Sequence, residues 1–183
     1  MTEVRPSDAP ASAGERKTEN RSPASGLEVD VLHEAGGWCA ADEETVRRAA
    51  QHAYGVLRGA APAELSIMLA DDARIADLNK TYRGKDGPTN VLSFPAAGMP
   101  GMDRPLLGDI ALAHETIVRE AEAQHKSFTH HLLHLTVHGV LHLLGHDHEN
   151  DTDAEDMEAL ERRILEDFGI ADPYDADRGR REL

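Results

Sequence analysis

The segment His138-Gly-Val-Leu-His142-Leu-Leu-Gly145-His-Asp-His148 places three histidines at offsets of four and six residues. Two imidazoles four residues apart on a helix stand on one face, about one turn apart. In that geometry both reach one metal ion. Gly145 is the residue type that lets a helix stop in a left-handed conformation. The chain can then turn back and deliver His148 as a third ligand. Three protein ligands on a tetrahedral ion leave one position for water, the arrangement of a catalytic rather than a structural zinc. Zinc is the default for a histidine-only triad, although imidazole also suits nickel, copper and iron. The expected cofactor is one Zn2+ on His138, His142 and His148. Such a site lowers the pKa of a bound water towards ~7, so the expected chemistry is hydrolytic: attack on a carbonyl or on phosphorus.

The metzincin protease motif shares this histidine spacing and this glycine, but carries Glu directly after the first histidine as general base. Here that position is Gly139. The metal set is kept and the peptidase base is absent. His130, His131 and His134 lie on the same stretch. His134 precedes His138 by one turn and is expected in the core or behind the ligands, because a fourth ligand would close the open position. His125 and His146 are expected to be exposed. Asp147 can orient a ligand imidazole, as carboxylates behind metal sites do, or make an ordinary Asx turn.

Lys80, Arg83 and Lys85 gather around one loop of an otherwise acidic chain. A guanidinium is a natural fork for phosphate and can stabilise charge on its oxygens. From composition alone, a phosphate site and an ordinary basic turn are equally good readings.

These residues need elements to hold them. Leu27–Leu32 alternates apolar and acidic residues and predicts a strand. Asp42 can cap a helix running to about Arg58, with Val46, Ala49, Ala50, Ala53, Val56 and Leu57 on its apolar face. Gly59 and Pro62 end it. Glu64–Ala70 predicts a strand, and Asp71 or Asp72 opens a short helix carrying Ile75, Leu78 and Tyr82. Arg83–Asn90 is a loop by composition. Val91–Phe94 predicts a short strand stopped by Pro95. The stretch 96–104 is expected to be a mobile loop, and Leu106–Ala113 a buried strand. Helices are expected over Glu115–Gln124 and Ser127–Leu144, the latter carrying the metal histidines. Thr152 with Glu155 reads as a capping box for a last helix with Met157, Leu160, Ile164, Leu165 and Phe168 on its face, ended by Gly169. The whole is an α+β domain: a small mixed sheet of about four strands packed with about five helices.

With 183 residues the chain holds one ordinary domain. Residues 1–25, rich in Ser, Pro, Ala and charge, are expected to be a disordered tail, 26–170 the folded domain, and 171–183 a polar tail. The N-terminal segment lacks the apolar run of a secretory signal, and its acids (Glu3, Asp8, Glu15, Glu19) do not suit a transit peptide. No apolar run is long enough for a membrane helix. The single cysteine, Cys39, fits a reducing compartment. A cytoplasmic protein with no membrane and no DNA partner is expected. Net charge is −15, which alone argues against a nucleic-acid binder. The acids crowd at Asp147–Glu158, however, where they suit a solvated helix start.

Three blocks, Tyr82-Arg-Gly-Lys-Asp-Gly-Pro-Thr-Asn-Val-Leu-Ser-Phe-Pro95, Leu107-Gly-Asp-Ile110 and His138–His148, together resemble the YbeY family of bacterial endoribonucleases and ribosomal RNA maturation factors. The resemblance spans roughly residues 27–168. It implies a zinc ion on His138, His142 and His148, and an Arg83 that matters for activity, so that Arg83 and His138 become the expected catalytic residues. It also implies work on precursor small-subunit ribosomal RNA, in maturation and in ribosome quality control, with small-subunit ribosomal proteins and assembly GTPases as partners. Family members commonly have Tyr where this chain has His146. In a nuclease of this kind His134 or Asp109 could move protons. Two other readings are a zinc peptidase-like hydrolase, against which Gly139 speaks, and a non-enzymatic ribosome assembly factor with a structural zinc.

Overall fold

A computed structural model describes residues 24–97, 103–146, 151–170 and 172–174. His148, Asp147, the middle of the 96–104 loop and almost all of both expected tails lie outside the described residues. The chain runs β1 (Leu27–His33), α1 (Ala40–Arg58), β2 (Ala63–Ala70), α2 (Asp72–Arg83), β3 (Val91–Pro95), β4 (Leu106–Ala113), α3 (His114–Ala123), α4 (Phe128–Leu143) and α5 (Asp151–Glu166). The expected α+β class is what the described residues adopt, with four strands and five helices among them. The sheet order is β1-β2-β4-β3, with β1, β2 and β4 mutually parallel and β3 antiparallel to β4. Pro95 ends β3 from within, which an edge strand tolerates because its outer N–H positions need no partner.

Strand periodicity divides the core in two. Leu27, Val29, Leu65, Ile67, Leu69, Ile110 and Leu112 point to one face and share a core with residues of α1 and α4, on which α5 packs in turn. Ala70, Leu92, Ala111 and Ala113 point to the other, where Ile75 of α2 meets them. Thus α4 and α2 lie on opposite sides of the sheet. No helix among the described residues is long and apolar enough to cross a membrane.

Several helix ends differ from expectation. Asp42 is not the cap of α1. Cys39 precedes the helix, and Asp42 is its third residue, reaching back to accept from the Cys39 N–H at 2.9 Å. The acid does half of a capping box rather than the cap itself. Asp71 caps α2, accepting from the Arg74 N–H at 2.8 Å. Arg83 is the last residue of α2 rather than the first of a loop, and Gly84 follows it in the left-handed region (φ 65°). Thr152 lies inside α5, so Thr152 and Glu155 are not the capping pair there.

Helix α4 touches α1, α3, α5, β3 and β4. Leu132, Leu133, Leu135, Val137, Val140 and Leu141 are all buried around it. On its remaining face His131, His134, His138 and His142 form a stripe at helical spacing. Ser127 caps the start, accepting from the His130 N–H at 3.1 Å.

Candidate metal centre

The end of α4 is built as its glycine predicts. Gly145 has φ 90°. Its N–H donates to the His142 carbonyl at 3.0 Å, and the His146 N–H donates to the Leu141 carbonyl, also at 3.0 Å. This crossed pair is a Schellman ending, which satisfies orphan carbonyls and turns the chain off the helix axis. His146 is half-buried rather than exposed; His125 is exposed.

One turn earlier, His138 and His142 face each other, with their Nε2 atoms 3.0 Å apart and rings at 81°. Behind His138 stands Glu161 of α5, whose carboxylate has no exposed surface. Its Oε1 accepts from His138 Nδ1 at 2.7 Å, and its Oε2 accepts from His134 Nε2 at 3.0 Å. The Tyr174 hydroxyl also donates to Oε2. Burial pushes the Glu161 carboxyl up, but the hydrogen bonds and charge of His134 and His138 outweigh burial and hold it below the ordinary value.

The arrangement fits a metal. A proton held on Nδ1 by the carboxylate leaves Nε2 of His138 as a lone-pair donor, the tautomer a ligand needs. That Nε2 is the atom turned towards His142. Among the described residues, no group of three or more His, Cys, Asp or Glu side chains is arranged to hold an ion. His138 and His142 are brought together, and the third expected ligand, His148, lies outside the described residues. His134 stands one turn before His138 and shares Glu161 with it. A cavity of about 240 Å³ opens beside His138, lined by Asn90, Val91, Lys126, His134 and Tyr174 among others.

Gly139 faces away from this site. A Cβ built there would stand 2.9 Å from Ile110 Cδ1 and 3.2 Å from Ser93 Oγ. The residue after the first histidine faces the sheet, so a glutamate there would point away from the His138–His142 pair and would have to displace the Ile110 side chain.

The model described as Endoribonuclease YbeY matches residues 39–169. The chain belongs to the YbeY family. A YbeY relative from Parvibaculum lavamentivorans, named as an endoribonuclease, is 64% identical over 171 residues, covering 88% of this chain and 92% of the relative. One of the same name from Azorhizobium caulinodans is 53% identical over 153 residues, covering 81% and 96%. The solution structure of TM1509 from Thermotoga maritima matches with a TM-score of 0.52 at 25% identity, over 78% of this chain and 92% of that one.

The other residues singled out in the sequence lie apart from this pair. Arg83 is exposed at the end of α2 and makes no salt bridge with a described residue. Lys80 pairs with Asp86 at 3.0 Å, so part of the local positive charge is spent. Asn79, which is buried, pins the following loop by donating from Nδ2 to the Gly87 carbonyl at 2.9 Å. Asp109 is not beside the histidines. Its neighbour Ile110 lies under α4, so Asp109 points to the opposite face and lines a cavity of about 380 Å³ with Arg74, Leu78, Tyr82 and Phe94.

Two contributors escaped sequence reasoning. Glu161 follows Met157 by four residues and precedes Ile164 by three, so it sits within the apolar stripe of α5. A carboxylate in that stripe was the available signal. Glu120 of α3 escaped too. It accepts from the buried His131 Nε2 at 2.8 Å and from Asn90 Nδ2 at 2.9 Å.

Proposed function

We propose that the chain is a zinc-dependent, single-strand-specific endoribonuclease. In this reading it acts in the cytoplasm on precursor small-subunit ribosomal RNA, in its maturation and in ribosome quality control. Small-subunit ribosomal proteins and assembly GTPases are its partners. The observation that carries the reading is the facing pair of Nε2 atoms on His138 and His142, with His138 locked from behind by a buried carboxylate, in a chain of the YbeY family.

His138, His142 and His148 would hold the ion. When bound, zinc would polarise a phosphoryl oxygen or make a water acidic enough to attack phosphorus near neutral pH. The protein's own part is positioning and charge. Glu161 keeps the His138 ring in one orientation and one tautomer. Arg83, uncommitted to any described carboxylate, supplies a planar fork for a phosphate. Asn79 holds the loop that follows Arg83. The cavity at His134 and Asn90 gives the strand a place to enter beside His138.

The test is cleavage of precursor small-subunit ribosomal RNA by wild type and Arg83→Ala, purified in parallel with zinc content checked. Loss of one charge-stabilising donor typically lowers turnover by roughly 100-fold to 1,000-fold. A variant that keeps its zinc and loses cleavage by that order supports the reading. Equal cleavage by both proteins would sink it in favour of a contaminant, leaving a non-enzymatic assembly factor as the better account.

A further inference from the structure

The two oxygens of Glu161 are divided between two tasks. Oε1 is committed to His138, at 2.7 Å. Oε2 takes His134 at 3.0 Å and the hydroxyl of Tyr174. Tyr174 lies beyond residue 169, where the family match ends. It belongs to the short segment Asp172–Tyr174, which is fastened at several points. Pro173 is buried, and its carbonyl accepts from Lys126 Nζ. The Tyr174 N–H donates to Asp172 Oδ1 at 2.9 Å, closing an Asx turn. The Tyr174 ring meets the His134 ring edge-on at 5.2 Å, and the Arg162 guanidinium lies 6.0 Å from its centroid.

We propose that Glu161 and Tyr174 form a carboxylate–phenol clamp that positions His138 as a metal ligand and couples docking of the C-terminal segment to metal binding. The proposal rests on the metal reading given above. Its physical basis is the cost of a buried carboxylate whose oxygens are not all satisfied. With His134 and Tyr174 donating to Oε2, the carboxylate plane is fixed and Oε1 stays aimed at His138 Nδ1. Without the phenol, Oε2 loses a donor and the carboxylate gains freedom to turn. The His138 ring then loses part of the constraint that presents Nε2 towards His142. Binding linkage is reciprocal: a segment that tightens the metal site must itself be held more tightly when metal is bound. Tyr174 and Glu161 are positioning residues, since each acts through His138.

The test uses the full chain and zinc itself. Zinc affinity is measured by competition with a chromophoric chelator for wild type, Tyr174→Phe, Glu161→Gln and the double variant. Hydrogen exchange at the Asp172 and Tyr174 amides, which flank Pro173, is followed with and without zinc. Glu161→Gln is expected to weaken zinc binding roughly 10-fold to 100-fold, the usual effect of removing a partner behind a metal ligand. Tyr174→Phe should weaken it several-fold, and the double variant should be no weaker than Glu161→Gln alone. Zinc should slow exchange at these two amides in wild type but not in Tyr174→Phe. A purely structural Tyr174 would lower thermal stability while leaving zinc affinity and zinc-dependent exchange unchanged, and that result overturns the clamp. If Glu161→Gln does not fold, Tyr174→Phe and the exchange data decide alone. Wild type that takes up no zinc overturns the metal reading itself, an outcome distinct from zinc-binding wild type with an indifferent Tyr174.

Discussion

Gly139 on α4 lies so close to Ile110 on β4 that a Cβ at position 139 would come within 2.9 Å of Ile110 Cδ1. Ile110 is fully buried, so it has little room to yield. Any side chain at position 139 must therefore displace Ile110 or part the helix from the sheet. Gly139→Glu is expected to destabilise the fold by about 3 kcal/mol or more, because it forces an unpaired carboxylate into apolar surroundings. It should bring no peptidase activity. Urea unfolding monitored by circular dichroism checks the first point. A variant within about 1 kcal/mol of wild type would show that a side chain can leave this interface after all.

Glu120, which borders the same cavity as His138 and is bonded to His131 and Asn90, predicts a pH dependence of stability. Burial pushes its carboxyl up, but His131 and Asn90 outweigh burial and hold it below the ordinary value. A carboxyl whose folded pKa is lower than its unfolded one adds stability above the unfolded value and loses it as pH falls through the folded value. The loss should therefore occur below the ordinary carboxylate pKa of about 4.3. Glu120→Gln should be less stable than wild type at neutral pH, and the gap should close in acid. Unfolding curves between neutral pH and about pH 3 test this. A gap that stays constant with pH would show that the carboxylate charge contributes nothing.

Much of this could be read in the sequence because its signals are local. The short apolar segments Glu64–Ala70 and Leu106–Ala113 and the expected helix Ser127–Leu144 lie within a residue of the elements observed. The Gly145 ending follows from glycine's access to positive φ. What was not legible depends on tertiary contact. Glu161 belongs to α5, 23 residues from His138, and only packing of α5 on α4 reveals it as the partner of His138 Nδ1. The same holds for Glu120 and His131, and for the opposite faces taken by Asp109 and Ile110. Asp42 was misread as a cap because a helix start offers acids two roles, and only backbone geometry separates them.

Asn79 supplies a prediction about Arg83. Its buried side chain holds the Gly87 carbonyl at 2.9 Å and so fixes the turn that follows the arginine. Asn79→Ala deletes that hydrogen bond and leaves the Gly87 carbonyl without this partner. A loss of about 1–2 kcal/mol in stability is expected. If Arg83 acts on phosphate, cleavage should fall as well while zinc content stays at the wild-type level. Full cleavage in a measurably destabilised Asn79→Ala protein would separate the turn from the activity.

Metal removal distinguishes a catalytic ion from a structural one. Helix α4 is capped by Ser127, ended by Gly145, and buried through Leu132, Leu135, Val137 and Leu141, none of which needs an ion. The fold should therefore survive chelation. Any ligand that binds only the native state adds RT ln(1 + [L]/Kd), about 2.7 kcal/mol at a hundredfold excess over Kd. Stripped protein should keep its helical circular dichroism and a cooperative transition, melting several degrees lower than the zinc-loaded form. Returning zinc should restore both the transition and cleavage. A zinc-free chain that loses its cooperative transition altogether would mean that the ion holds the fold. That result would favour the assembly-factor reading, since an ion needed for folding closes its coordination with protein ligands and leaves no position for water.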